Sequence, residues 1–291
     1  MTDAKAIPGF EERFGDARAC RIRYLVGGPP GADPVVLIHG LGGSAGNWVE
    51  LAPLLAERRR VLVPDLPGHG RSTPLPAAPN LAAYADRVGL VAEREGLLPA
   101  AVVGHSLGGV VALRLALRRP DDVRALVLAG SAGIRSATTR VRLAVTMVSL
   151  VRPGRYLAAY RGLVARSPVL RTLAFGHWGA ADPLALSDAA VEGFLAGTRL
   201  HTDTLSAAEA LVLDDPREDL ERLRCPVLIL WGARDNQLPM ADAFEYARRL
   251  RAPLRVIADC GHLLIGERPE PCSDGIETFL DSLPSRRRSR A

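Results

Sequence analysis

The sequence predicts an α/β protein in which a mostly parallel, doubly wound sheet carries helices on both faces. Three observations predict it. Short apolar runs that read as strands alternate with stretches of helical periodicity along most of the chain, the pattern of a parallel sheet built from βαβ units. The runs are continuously apolar rather than alternating, as expected for strands covered on both sides. The alternation breaks once, from Gly133 to Glu221, where helical patterns follow one another without a convincing strand.

In chain order the strand-like runs are Cys20–Val26, Val35–Ile38, Val61–Val63, Ala101–Val103, Ala125–Leu128, Val227–Leu230 and Leu254–Ile257. Helical periodicity covers Trp48–Arg58, Leu81–Glu95, Val110–Arg118 and Ala241–Arg251, with Gly96 and Pro120 as stops. The chain therefore divides into a core, residues 1–132 and 222–291, and an inserted helical segment, 133–221. That insertion is rich in Leu, Ala and Arg, is punctuated by Pro153-Gly154, Pro168, Gly176 and Pro183, and carries Tyr156, Tyr160 and Trp178. It enters between two strands whose C-terminal ends should bear the site, so it reads as a lid over an apolar cleft.

Composition narrows the function class. The 291 residues are 48% hydrophobic, enough for a large core. The net charge of +5 is concentrated in a Ser-flanked tail with Arg286, Arg287, Arg288 and Arg290. With the rest near neutral and no basic stripe interleaved with aromatics, no nucleic-acid partner is expected. The four cysteines, Cys20, Cys225, Cys260 and Cys272, show no C-x-x-C spacing, so neither a disulfide framework nor a zinc site is implied. Met1–Arg13 lacks the apolar core of a signal peptide, and the longest apolar run, Val141–Val151, is about half of what a membrane span needs. The expectation is a cytoplasmic protein with no integral membrane segment.

The chemistry concentrates around Gly104-His105-Ser106-Leu107-Gly108-Gly109, which joins an apolar strand to an apolar helix. A turn this tight lifts the Ser106 hydroxyl above the sheet edge, the setting of a nucleophile. A serine hydroxyl needs a base, and the base needs an acid to orient it. Of six histidines, His39, His69 and His105 lie in glycine turns where local hydrogen bonding or packing is expected, and His177 and His201 lie in the insertion. His262 follows the last strand in Asp259-Cys260-Gly261-His262, where glycine lets the chain turn back across the sheet ends; it is the expected general base. Asp235, at the end of Gly232-Ala233-Arg234-Asp235 after the preceding strand, is the expected acid; Asp259 is too near in sequence, and Asp214 and Asp215 sit at the insertion's exit. Two backbone N–H groups should hold a developing oxyanion: that of Leu107, which follows the nucleophile where a helix begins, and that of Leu41 in His39-Gly40-Leu41-Gly42-Gly43.

These motifs, with Asp65-Leu66-Pro67-Gly68-His69-Gly70-Arg71-Ser72 between them, make the chain resemble the α/β-hydrolase fold family, in its lidded serine-hydrolase (esterase and lipase-like) branch. The resemblance implies an eight-stranded sheet, a helical cap after the sixth strand, a structural role for Asp65 and His69, and neither cofactor nor metal. It also implies a first strand near Phe10–Asp16, which is polar and poorly marked.

Lidded relatives with an aspartate nucleophile attack alkyl carbon; Ser106 argues instead for attack on an acyl carbon. The first expectation is thus a hydrolase of carboxylic esters with a small or medium apolar acyl group. A C–C bond hydrolase acting on vinylogous diketones has the same triad, and Arg140, Arg155, Arg161, Arg166 and Arg171 are the insertion's candidates to hold its carboxylate. A hydrolase-like receptor for a small apolar ligand is the third reading.

Overall fold

The computed structural model describes residues 7–78, 80–134, 159–176, 179–200 and 204–284. Eight strands form one sheet: β1 (Phe10–Ala17), β2 (Cys20–Gly27), β3 (Pro34–Ile38), β4 (Arg60–Pro64), β5 (Ala100–His105), β6 (Val123–Ala129), β7 (Val227–Gly232) and β8 (Leu254–Ile257), in the order β1-β2-β4-β3-β5-β6-β7-β8. β2 runs antiparallel to both its neighbours and the rest pair in parallel; Val36 lies level with Leu62 on one side and Val102 on the other.

β1 is the strand that its sequence marks poorly. It pairs only with β2, through a tight turn in which Arg18 (φ 44°) and Ala19 (φ 63°) both adopt left-handed angles, the geometry that matches strand twist in a two-residue hairpin. An edge strand with one open face has no need of a continuous apolar run, and Glu12 there reaches across to Arg23 at 2.7 Å.

The inner strands are apolar throughout because successive side chains enter different layers. Val36, Ile38, Val102, Leu126 and Leu128 pack on one face and Val35, Leu37, Val103 and Val127 on the other, all completely buried. The helices are α1 (Leu51–Ala56), α2 (Leu81–Arg94), α3 (Leu107–Arg118), α4 (Arg161–Arg166), α5 (Pro168–Phe175), α6 (Asp188–Leu200), α7 (Thr204–Leu213), α8 (Met240–Leu250), α9 (Leu264–Glu267) and α10 (Pro269–Asp281). Tyr84 of α2, Val111 of α3 and Tyr246 of α8 cover the first face; Leu51 of α1, Leu264 of α9 and Ile276 of α10 cover the second.

The helix expected over Trp48–Arg58 is instead a 3₁₀ turn, Ala45–Trp48, followed by the short α1. Ser44 caps the turn by accepting from Gly46 N–H, while its own N–H donates to Asn47, so a separate turn precedes α1, which takes Pro53 in its first turn where no intrahelical N–H is needed. α3 starts three residues before the expected Val110, directly after Ser106. Between β6 and β7 the described residues contain α4 to α7 and no strand. Val141–Val151, Arg140, Arg155, Tyr156, His177, Trp178, His201 and the arginine tail lie outside the described residues.

Candidate active site

Ser106 joins β5 to α3 with φ 54° and ψ −119°, angles that strain a residue bearing a side chain by roughly 1–3 kcal/mol. The surrounding backbone enforces them. Ser106 N–H donates to Ala129 O at 3.1 Å, and its carbonyl accepts from Gly109 N–H at 3.0 Å and Ala132 N–H at 3.1 Å. A methyl group on Gly104 would lie 2.3 Å from Gly108 O, and one on Gly108 would lie 2.2 Å from Ile38 O, so only glycine fits on either side of the turn.

The loop after β3 passes directly beside this serine: a methyl on Gly40 would stand 3.0 Å from Ser106 Cβ. His39 shapes the loop. Its Nε2 accepts from Leu66 N–H at 3.0 Å, so the ring proton is on Nδ1, which donates to Gly40 O at 2.8 Å. Gly43 N–H donates to the same oxygen at 3.1 Å. In a trans peptide the next N–H, that of Leu41, points the opposite way. Among the described residues no acceptor bonds Leu41 N–H or Leu107 N–H.

Asp65 braces the same region, accepting from Ala45 N–H at 2.7 Å and Arg71 N–H at 2.9 Å beside the Arg23 guanidinium. Its carboxyl is pushed upward by burial, against the pull of Arg23 and the two amides. The Asp65 and Arg23 side chains are buried. From above, α6 rests on the loop through bare backbone, since methyls on Gly193 and Gly197 would lie 2.3 Å from Gly46 O and 2.7 Å from Gly42 O.

Beyond β8, the chain turns through Asp259 (φ 46°) and delivers His262. His262 Nδ1 lies 2.8 Å from Asp235 Oδ2, with side chains only 4% and 1% exposed. Asp235 is itself fixed, its Oδ1 accepting from Gln237 N–H at 2.9 Å and Leu238 N–H at 2.8 Å. An acceptor-only carboxylate oxygen there places a ring proton on Nδ1, so that in the neutral ring Nε2 is the nitrogen with the lone pair. A methyl on Gly130, next to the β6 residue that anchors Ser106, would fall 3.5 Å from His262 Nδ1 and 3.6 Å from Asp235 Oδ2. Thus Ser106, Asp235, His262 and the Gly40–Leu41 peptide all stand at the C-terminal edge of one set of parallel strands. The other carboxylates point elsewhere: Asp259 pairs with Arg234 at 2.9 Å, both 67% exposed, and Asp214 pairs with Arg114 at 2.8 Å.

Two contacts to His262 lie beyond what its sequence surroundings indicate. His105 Nε2 meets the His262 carbonyl at 2.8 Å with the rings 5.0 Å apart, and Gly179 O accepts His262 N–H at 2.5 Å. Of the insertion's arginines, Arg171 is spent on the insertion itself, donating to Ala165 O and, at 2.6 Å, to Leu186 O while pairing with Asp188. Among the described residues no three His, Cys, Asp or Glu side chains gather as a metal cluster, and no helix is long and apolar enough to cross a membrane.

A family model for the alpha/beta hydrolase fold matches residues 33–269. The pimeloyl-[acyl-carrier protein] methyl ester esterase of Aromatoleum aromaticum is 35% identical over 256 residues, covering 84% of this chain and 97% of that protein. The 2-hydroxymuconate semialdehyde hydrolase of a Pseudomonas species is 32% identical over 236 residues, 79% of this chain and 80% of the relative. The dihydrolipoyllysine-residue acetyltransferase component of the acetoin cleaving system of Cupriavidus necator is 32% identical over 257 residues, 86% of this chain; the match spans only 64% of that longer protein. By the extent of the family match and by these identities, the chain belongs to the α/β hydrolase fold family.

Proposed function

We propose that this chain is a serine hydrolase that cleaves carboxylic esters of small or medium apolar acyl groups. The observation that carries the reading is the buried Asp235–His262 pair at 2.8 Å, held at the same sheet edge as a serine with φ 54°. Ser106 Oγ attacks the acyl carbon while His262 Nε2 takes its proton, and Asp235 stabilises the resulting imidazolium. The carbonyl oxygen becomes an oxyanion held by Leu41 N–H and Leu107 N–H. Collapse breaks the bond to the leaving alcohol, which receives the proton from His262. Water then attacks the Ser106 ester, giving up a proton to His262; the acid departs and Ser106 regains its proton. The sum is ester plus water to acid plus alcohol, with no cofactor or metal.

Residues 133–221 act in this reading as a helical cap that closes the cleft above Ser106 and selects the acyl group. The esterase relative supports ester chemistry. The four free thiols, three of them buried, suit a reducing compartment such as the cytoplasm.

A C–C bond hydrolase is the second reading, favoured by the 2-hydroxymuconate semialdehyde hydrolase relative. That reaction calls for a cation facing the substrate carboxylate, a task for which Arg171 is already engaged. A fluorophosphonate probe with p-nitrophenyl acyl esters separates the possibilities. Labelling and turnover in wild type, both lost in Ser106→Ala, support the ester reading; labelling retained in Ser106→Ala removes Ser106 as nucleophile. Labelling without ester turnover, but with loss of a ring-fission diketone's absorbance, selects C–C cleavage.

A further inference from the structure

Glu267 closes α9 and is 2% exposed, yet it contacts no partner of opposite charge within salt-bridge distance among the described residues. Its carboxylate is instead filled by backbone donors from two segments far apart in sequence. Oε2 accepts from Gly261 N–H at 2.9 Å, and Oε1 accepts from Asp182 N–H at 2.8 Å, with Ala181 N–H a third donor. Gly261 immediately precedes His262; Ala181 and Asp182 belong to the insertion.

The two segments also touch directly. Gly179 O accepts both His262 N–H and Leu263 N–H, the latter at 3.2 Å. A methyl on Gly261 would lie 2.1 Å from Gly179 O and 2.6 Å from Ala181 N, so nothing larger than hydrogen fits between them. The His262 backbone is therefore gripped by the insertion, and Glu267 fastens the grip. A buried carboxylate is an expensive bolt unless its bonds are made; here burial raises its pKa while the three amides hold it down.

We infer that Glu267 is a positioning residue, locking the His262 loop to the Gly179–Asp182 strap of the insertion so that the ring keeps its orientation toward Ser106. This inference rests on the proposed role of His262. It makes the insertion part of the base's support as well as the cleft's cover.

Glu267→Gln tests it with little change of shape. One oxygen becomes an NH₂, which must face an amide N–H, so the bridge loses an acceptor on one side. Per site titrated with fluorophosphonate, kcat for p-nitrophenyl butyrate is expected to fall by roughly 10- to 100-fold, the scale of a displaced catalytic group, with KM unchanged within about twofold. Hydrogen exchange should quicken in peptides covering both 179–183 and 260–263. A kcat per titrated site within twofold of wild type overturns the positioning role, and unchanged exchange in either segment overturns the bridge. Should Glu267→Gln not fold, Gly261→Ala forces the same segments apart and disturbs the Gly261 N–H bond to Oε2 while leaving the Glu267 side chain unchanged; the same loss of kcat together with faster exchange in both 179–183 and 260–263 supports the inference, and an unchanged kcat or unchanged exchange in either segment overturns it. Absence of wild-type labelling at Ser106 would defeat the hydrolase reading separately, while the exchange measurement would still decide whether the bridge exists.

Discussion

His105 donates its Nε2–H to the backbone carbonyl of His262 across 2.8 Å. A carbonyl only accepts, so this fixes the His105 tautomer and leaves its buried Nδ1 deprotonated, with no hydrogen-bond partner among the described residues. Burial first, and then the adjacent His262, push the His105 pKa down to about 3. The unfolded chain takes up a proton there below about pH 6.5 while the folded protein refuses it, so this contribution to stability is intact above 6.5 and is lost as the pH falls toward 3. The slope is about 1.4 kcal/mol per pH unit within that window. His105→Gln keeps a donor but cannot titrate, and denaturant melts from pH 6.5 to 4 should show a shallower loss of stability than wild type. The comparison isolates His105 from His69, which burial also pushes to about 3. Parallel pH profiles for the two proteins would refute the assignment.

Asp235 controls which ring nitrogen of His262 carries the proton. In Asp235→Asn the oxygen that accepts from Gln237 and Leu238 N–H can stay in place, so an NH₂ group turns toward Nδ1 and favours the wrong tautomer. On the proposed mechanism kcat falls by roughly 10⁴-fold with a nearly unchanged Tm. Asp259→Asn, which removes only the exposed pair with Arg234, should leave kcat within about twofold. Measuring both variants on one p-nitrophenyl ester decides the matter; near-normal turnover in Asp235→Asn would transfer the orienting role elsewhere.

The contrast between these two histidine contacts shows what a sequence can express. Asp235 and His262 each follow an apolar run that marks a strand end, and parallel strands bring their C-terminal ends together, so their juxtaposition at 2.8 Å is legible from order alone. His105 reads as a turn residue because nothing local announces a bond to a carbonyl 157 positions away. Glu267 is hidden for the same reason: a glutamate in a short helix looks solvated until the backbone donors at 181–182 and 261 are seen to converge on it. β1 is poorly marked because an edge strand carries little apolar signal, so its place near Phe10–Asp16 comes from the resemblance and not from its own pattern; the helix expected from Trp48 starts later and is shorter because Ser44 caps a separate turn first, a local competition that periodicity ignores.

His39 is expected to act through the Gly40–Leu41 peptide. Its Nδ1–H holds Gly40 O at 2.8 Å, and that bond turns Leu41 N–H to the opposite side. His39→Leu removes the donor and also strands Leu66 N–H, while Gly43 N–H still donates to Gly40 O. On the proposed mechanism kcat should fall by roughly 10- to 100-fold, less than outright loss of an oxyanion donor. KM should change little, because the interaction matters only as charge develops. An equal rise in KM with kcat preserved would show that the loop binds substrate rather than the transition state.

Gly193 sets two well-defined forces against each other. Alanine is favoured over glycine inside a helix by about 1 kcal/mol, so propensity alone predicts that Gly193→Ala stabilises α6. The added methyl, however, would lie 2.3 Å from Gly46 O and 3.0 Å from Gly46 C, both backbone atoms of the turn that follows the His39–Gly43 loop. Overpacking of this kind costs about 1–3 kcal/mol, and rigid backbone on both sides leaves the helix to move. The contact should therefore win: Tm falls, and kcat falls with it as α6 shifts against the loop that carries Leu41. A raised Tm with unchanged kcat would mean that α6 can lift away without disturbing that loop.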